Sequence, residues 1–142
     1  MLAACALFAA LCAAFPTNAL QLITESEAAL PADHAHDRGI LRGPTIVIVA
    51  PSPDAGTIRS PLNLRIKFQS HGGAAINVDS VLLTYVKKPA VDLTQRIQRF
   101  IAPTGIDVEN AEVPPGTHTL RVNVTDSDGR TSRTDFTFTV SK

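Results

Sequence analysis

Two stretches of the chain carry side chains whose types and spacing suit a metal ion. His34-Ala35-His36-Asp37 sets two imidazoles beside a carboxylate, a donor set that suits zinc, copper or nickel. Two imidazoles do not hold such an ion tightly, so His71 or His118 would have to approach from elsewhere. The second stretch is Asp126-Ser127-Asp128-Gly129, whose carboxylates could ligate calcium and whose D-x-D-G spacing overlaps the start of an EF-hand loop. Counting from Asp126, the position where such a loop places its bidentate glutamate falls on Thr137, inside an alternating apolar strand. Calcium at Asp126 and Asp128 would therefore need ligands from other loops, with Asp79 or Asp54 as candidates. The same residues also read as a plain turn, because Gly129 takes a positive φ freely and Asp128 tolerates one better than most residues.

Other chemistry is hard to assemble. No serine sits in a G-x-S-x-G elbow, no Cys/His or paired-carboxylate pattern emerges, and no glycine loop is suited to phosphate. The expectation is a non-enzymatic protein without a cofactor. Thirteen basic residues balance thirteen acidic ones, which leaves no electrostatic footprint for nucleic acid or an anionic membrane surface. Carbohydrate platforms use exposed aromatics, whereas Tyr85 alternates into the predicted interior. Asn123-Val124-Thr125 is a glycosylation sequon, but it lies on a predicted strand of a chain whose leader looks bacterial. Lys87, Lys88, Arg96 and Arg99 form either a basic face or charges that keep an edge strand from pairing.

The elements that must position these groups follow from apolar spacing. Residues 1–19 read as a cleaved signal peptide: an apolar run to Phe15, too short to span a bilayer, then Pro16 and small residues, with Thr17 and Ala19 placed for cleavage after Ala19. No Lys or Arg precedes the apolar run, so either the signal is atypical or the true start lies upstream. Leu2-Ala3-Ala4-Cys5 is similar to a lipobox but sits too early for one, and with Cys5 and Cys12 both in the leader the mature chain has no disulfide. Residues 20–43 read as a flexible, mostly irregular arm, apart from a capping box at Thr24-Glu25-Ser26-Glu27 that could start a short helix.

A sheet domain is expected over 44–142. Thr45 to Pro51 is β-branched, Leu62 to Phe68 alternates without fault, and Val81 to Val86 is apolar enough on both faces to suggest a central strand. Val91 to Ile101 reads as a short helix, with two short edge strands as the alternative and with Asp92 and Gln95 resembling a capping box. Gly105 to Val113 crosses as a strand or extended connection. Leu120, Val122 and Val124, then Phe136, Phe138 and Val140, face inward on the two arms of a hairpin. Two apolar faces require two sheets.

Over residues 44–142 the chain resembles bacterial immunoglobulin-like and fibronectin type III-like modules. The likeness is carried by P-x-I-x-I-V-x-P-x-P-D-A-G with P-L-N-L-R-I-K-F, by I-N-V-D-S-V-L-L-T-Y, and by P-P-G-T-H-T-L-R-V-N-V-T-D-S-D-G-R. The buried Trp and inter-sheet disulfide of antibody domains are missing. The resemblance implies an all-β immunoglobulin-like sandwich of about seven strands. It also implies that His118 stands where many members place a tyrosine that bonds back to the backbone. The functional expectation is a secreted or periplasmic interaction or structural module whose partner is another envelope protein, contacted through edge strands and the 87–101 region. The alternative is a periplasmic metal-binding protein using His34, His36 and Asp37. The mature chain is expected to lack a transmembrane segment, and its oligomeric state stays open.

Overall fold

The computed structural model describes residues 19–34, 42–52 and 54–142. The apolar leader with Cys5 and Cys12, and His36 and Asp37, lie outside the described residues. No described helix is long and apolar enough to cross a membrane.

Strands form where alternation lets one side of an extended chain leave water. β4 (Leu62–Gln69) does this without a break: Leu62, Leu64, Ile66 and Phe68 are buried and every intervening residue is exposed. It pairs antiparallel with β2 (Thr45–Ala50) on one side and β8 (Gly105–Glu112) on the other. The far edge of β8 is completed in two pieces, by β7 (Ile101–Ala102) and by β1 (Leu20–Gln21), the latter parallel. In the second sheet the order is β3 (Thr57–Ile58), β10 (Thr131–Val140), β9 (Gly116–Asp126), β5 (Ile76–Tyr85), β6 (Val91–Asp92). β2 belongs to the first sheet while β3 pairs parallel with the end of β10, so the chain changes sheets between them. Among the described residues, six long strands and four two-residue pieces thus make an immunoglobulin-like sandwich. Its core joins Leu64, Ile66 and Val108 from one sheet to Leu83, Val122 and Phe138 from the other.

Three local expectations need correction. β5 lies between β9 and the two-residue β6, and its outer side is covered only in part, since Leu82 is 44% exposed while Val86 just past its end is buried. Residues 91–101 combine both readings, since β6 and β7 flank α2 (Thr94–Ile97) and a single 3-10 turn at Gln98–Phe100. Leu93 and Ile97 are fully buried there, as helical spacing predicts. The Asp92–Gln95 capping box does not form; instead Asp92 Oδ1 accepts from the Thr94 amide at 2.9 Å, and Leu93 occupies the cap position without a side-chain bond.

The third correction concerns the arm. The capping box at Thr24 does form, with the Glu27 amide donating to Thr24 Oγ1 and the Thr24 amide to Glu27 Oε2, and it opens α1 (Glu25–Ala28). Residues 20–34 are not a loose tether, however. Leu22 and Ile23 are buried in the sandwich core at 0% and 1% exposure.

Candidate functional site

At one end of the sandwich, the turn after β8 and the start of β9 place His118 in the interior, 1% exposed. Its Nε2 lies 2.7 Å from the Pro114 carbonyl and its Nδ1 lies 2.8 Å from the Tyr85 hydroxyl. A carbonyl can only accept, so Nε2 carries the proton; Nδ1 then accepts from the Tyr85 hydroxyl. This bond to a carbonyl four residues upstream is the corner bond expected of this position. Burial depresses the His118 pKa, assisted by the nearby Lys87 charge, and the Pro114 bond only partly opposes them. The Tyr85 hydroxyl is pushed up to about 12, mainly by burial and secondarily by Glu27. A neutral imidazole with both nitrogens engaged is a strut rather than a free base.

At the opposite end, the β9–β10 turn is organised by Asp126. Its Oδ1 accepts from the amides of Asp128 and Arg130 at 3.0 and 2.9 Å, and its Oδ2 pairs with Arg130 Nε at 2.9 Å. Gly129 supplies the positive φ, at 79°. Burial opposes ionisation of Asp126, but the Arg130 and Asp128 amides and the Arg130 guanidinium outweigh it and hold the carboxyl below its ordinary value. Asp128 contributes an exposed contact to the same guanidinium at 3.2 Å. Arg130 therefore stands as the cation against this loop. Asp126→Ala is expected to lower the melting temperature clearly and to expose the Asp128 and Arg130 amides to hydrogen exchange. Asp128→Ala should do neither to a comparable degree, because Asp128 donates its backbone but its side chain is peripheral.

Among the described residues, His71 and His118 do not converge. His71 Nε2 lies 2.6 Å from Thr45 Oγ1, and the His71 carbonyl accepts from Arg130, which puts it at the Asp126 end. Eight positions of β9 separate His118 from Asp126, on the order of 26 Å at strand rise, so His71 and His118 cannot share one ion. Of the His34, His36 and Asp37 set, only His34 is described, at the end of the docked arm. Among the described residues no three His, Cys, Asp or Glu side chains cluster.

Sequence reasoning missed the clamp that holds the arm. Arg96 on α2 donates to the Leu22 carbonyl at 2.8 Å and forms a two-pronged pair with the Glu27 carboxylate. Lys87 reaches the Ala28 carbonyl at 3.1 Å and lies over the Tyr85 ring, while Lys88 pairs with Asp33 at 3.6 Å. Arg99 lies against the Phe100 ring. The supposed basic face at 87–99 is thus largely occupied by the chain's own arm. Arg96 holds Glu27 at about 2, well under the usual carboxylate range. A carboxyl whose folded pKa is depressed stabilises the fold above its unfolded value and loses that contribution as pH falls toward the folded one. Arm docking should therefore be constant above about pH 5 and weaken progressively between there and pH 2, with Glu27→Gln flattening that part of the stability profile; hydrogen exchange of the Leu22 amide against pH measures it.

Sequence reasoning also missed an apolar surface. β2 ends its sheet, carries no charge, and presents Val47 and Val49 outward at 44% and 39% exposure. Beside it opens a groove of about 900 Å³ lined by Val47, Lys67, Phe68, Ile76, Phe100 and Pro103 among others. The signal was present, since Val47 and Val49 form the outer half of a β-branched strand. Sequence alone does not reveal which half meets the core.

No family model matches the chain, nor does any curated protein. Among solved structures, it is similar to CopC from Methylosinus trichosporium OB3b. That likeness has a TM-score of 0.47 and 16% identity, and covers 69% of this chain and 93% of the CopC chain.

Proposed function

We propose that this protein is a non-enzymatic interaction module, exported across a membrane, that docks on another envelope protein through β2 and the groove beside it. One observation carries the reading. A six-residue edge strand without a charge presents two outward valines, of which Val47 lines an open groove that also carries Phe68, Phe100, Arg65, Lys67 and Asp107. Edge strands that must avoid partners are usually blunted by lysine, proline, bulges, inward charges or covering loops; β2 has a register shift between Ile48 and Ala50 but no charge, which leaves Thr45 to Ile48 as a template for a partner strand. The titratable groups with shifted pKa support the same view: His118, Tyr85, Asp126, Glu27 and Arg96 all hold internal contacts rather than converging on an open cleft. The 87–101 region is left out of the contact surface because the arm lies on it. In the double variant Val47→Lys, Val49→Lys, stability should stay within about 0.5 kcal/mol of wild type, as for ordinary surface changes. Recovery of a crosslinked envelope partner should fall at least tenfold. Unchanged recovery refutes the assignment of the surface.

A second reading, metal binding by His34, His36 and Asp37, draws support from the docking of the arm, which places the exposed His34 directly after Asp33, whose amide bonds the Val86 carbonyl. Zinc or copper in excess should then raise the melting temperature, and His34→Ala should remove the rise. No shift in wild type disposes of this reading.

A further inference from the structure

The arm makes its contacts with parts of the sandwich remote from the strand to which it is tethered. Leu20 and Gln21 pair with β8, Leu22 donates its amide to the Glu112 carbonyl at 3.0 Å, and the side chains of Leu22 and Ile23 fill the core. Arg96 reads both a backbone carbonyl and the Glu27 carboxylate, and Lys88 donates its amide to the Pro31 carbonyl at 2.9 Å. Main-chain pairing, two filled apolar positions and a guanidinium clamp on a carboxylate are the parts of a peptide-recognition site. Nothing in that contact set depends on the arm being covalently joined to the sandwich that holds it.

We propose that this slot is a strand-acceptor site that the arm of a second copy of the chain can fill, making arm exchange the route to a dimer. The occupant is fixed by the complementarity on the page: Glu27 meets Arg96 and Asp33 meets Lys88, and an identical arm reproduces every one of these contacts. Exchange leaves each sandwich with the same interactions, so the balance between monomer and dimer turns on the connection to β2 and on concentration. The connection has a measurable reach. The Asp33 amide bonds the Val86 carbonyl, and the Val86 amide bonds the Thr119 carbonyl. Gly43 packs on Thr131 and Ser132, whose register partners are Thr125 and Val124. Along β9 these ends are separated by five to six residues, at least about 17 Å at strand rise. Ten chain steps join Asp33 to Gly43 and can span about 33 Å or slightly more when extended.

Deleting residues 35–41 leaves three steps, which reach only about 11 Å, so the Asp33 end of the arm can no longer dock on its own sandwich. The expected result is a doubled mass by light scattering, or a larger head-to-tail assembly, with the Leu22 amide protected from exchange as in the full chain. Adding Arg96→Ala to the deletion should shift the assembly back toward monomer, while Arg96→Lys should retain more of it. A monomer, whether its Leu22 amide is protected or freely exchanging, overturns the proposal. So does an assembly whose Leu22 amide is unprotected. This outcome is independent of the Val47 and Val49 surface, which lies on the other edge of the same sheet.

Discussion

Replacing Gly105 by alanine is expected to destabilise the protein by about 3 kcal/mol or more, read as a shift of the urea midpoint at unchanged slope. Two effects act together at this residue. Its φ of 146° is one that side chains rarely adopt, and a Cβ there would press into the backbone carbonyl of Ile66. That carbonyl belongs to β4, the central strand of its sheet, so relief requires moving β8 and β4 apart. The comparison is Gly56→Ala, where φ is 67° and a Cβ would meet nothing within 4 Å; only the conformational cost remains, about 1 kcal/mol. If the two variants prove equally mild, the close approach of β8 to β4 is wrong.

The second large effect is at His118. His118→Ala removes a buried ring and leaves the Tyr85 hydroxyl and the Pro114 carbonyl without partners, which should cost about 3–5 kcal/mol. Tyr85→Phe keeps the packing and deletes one bond, for about 1–2 kcal/mol. A pH signature separates the histidine from mere volume. The unfolded imidazole titrates near its ordinary 6.5, whereas the native one is depressed. Below 6.5 the unfolded chain binds the proton first, so this group's contribution is complete above that pH and declines as pH falls from 6.5 toward the native value. His118→Gln should lose that decline. Equal slopes in both proteins between pH 7 and 5 would show that the ring is not held neutral.

Legibility in the sequence tracked how much of each decision is local. The β9–β10 hairpin was readable because Leu120, Val122 and Val124 on one arm and Phe136, Phe138 and Val140 on the other alternate with polar residues, and alternation next to Asp128-Gly129 leaves little choice of register. β5 misled because Leu82 is as apolar as Val81 and Leu83 and yet stands exposed, while Val86 just past the strand is buried. Whether a second layer covers the outer side is settled by the rest of the fold. The arm was misread for a related reason. Leu22 and Ile23 are adjacent rather than alternating, since a chain crossing the end of a sandwich can turn neighbouring side chains inward without any period. Its clamp joins Arg96 to Glu27 across 69 positions, a separation that no motif spans. His118 was visible only through the resemblance, because its corner bond is a four-residue local feature, while its second partner, Tyr85, is 33 positions away.

The most direct test of the docking surface is site-specific photocrosslinking in the cell envelope, with a photoreactive residue at Val47 or at Thr137. Both positions are exposed, one on the outer side of β2 and the other on the outer side of the second sheet. A discrete adduct from position 47 and none from position 137 is the predicted result. No adduct from position 47, or equal adducts from both, contradicts it.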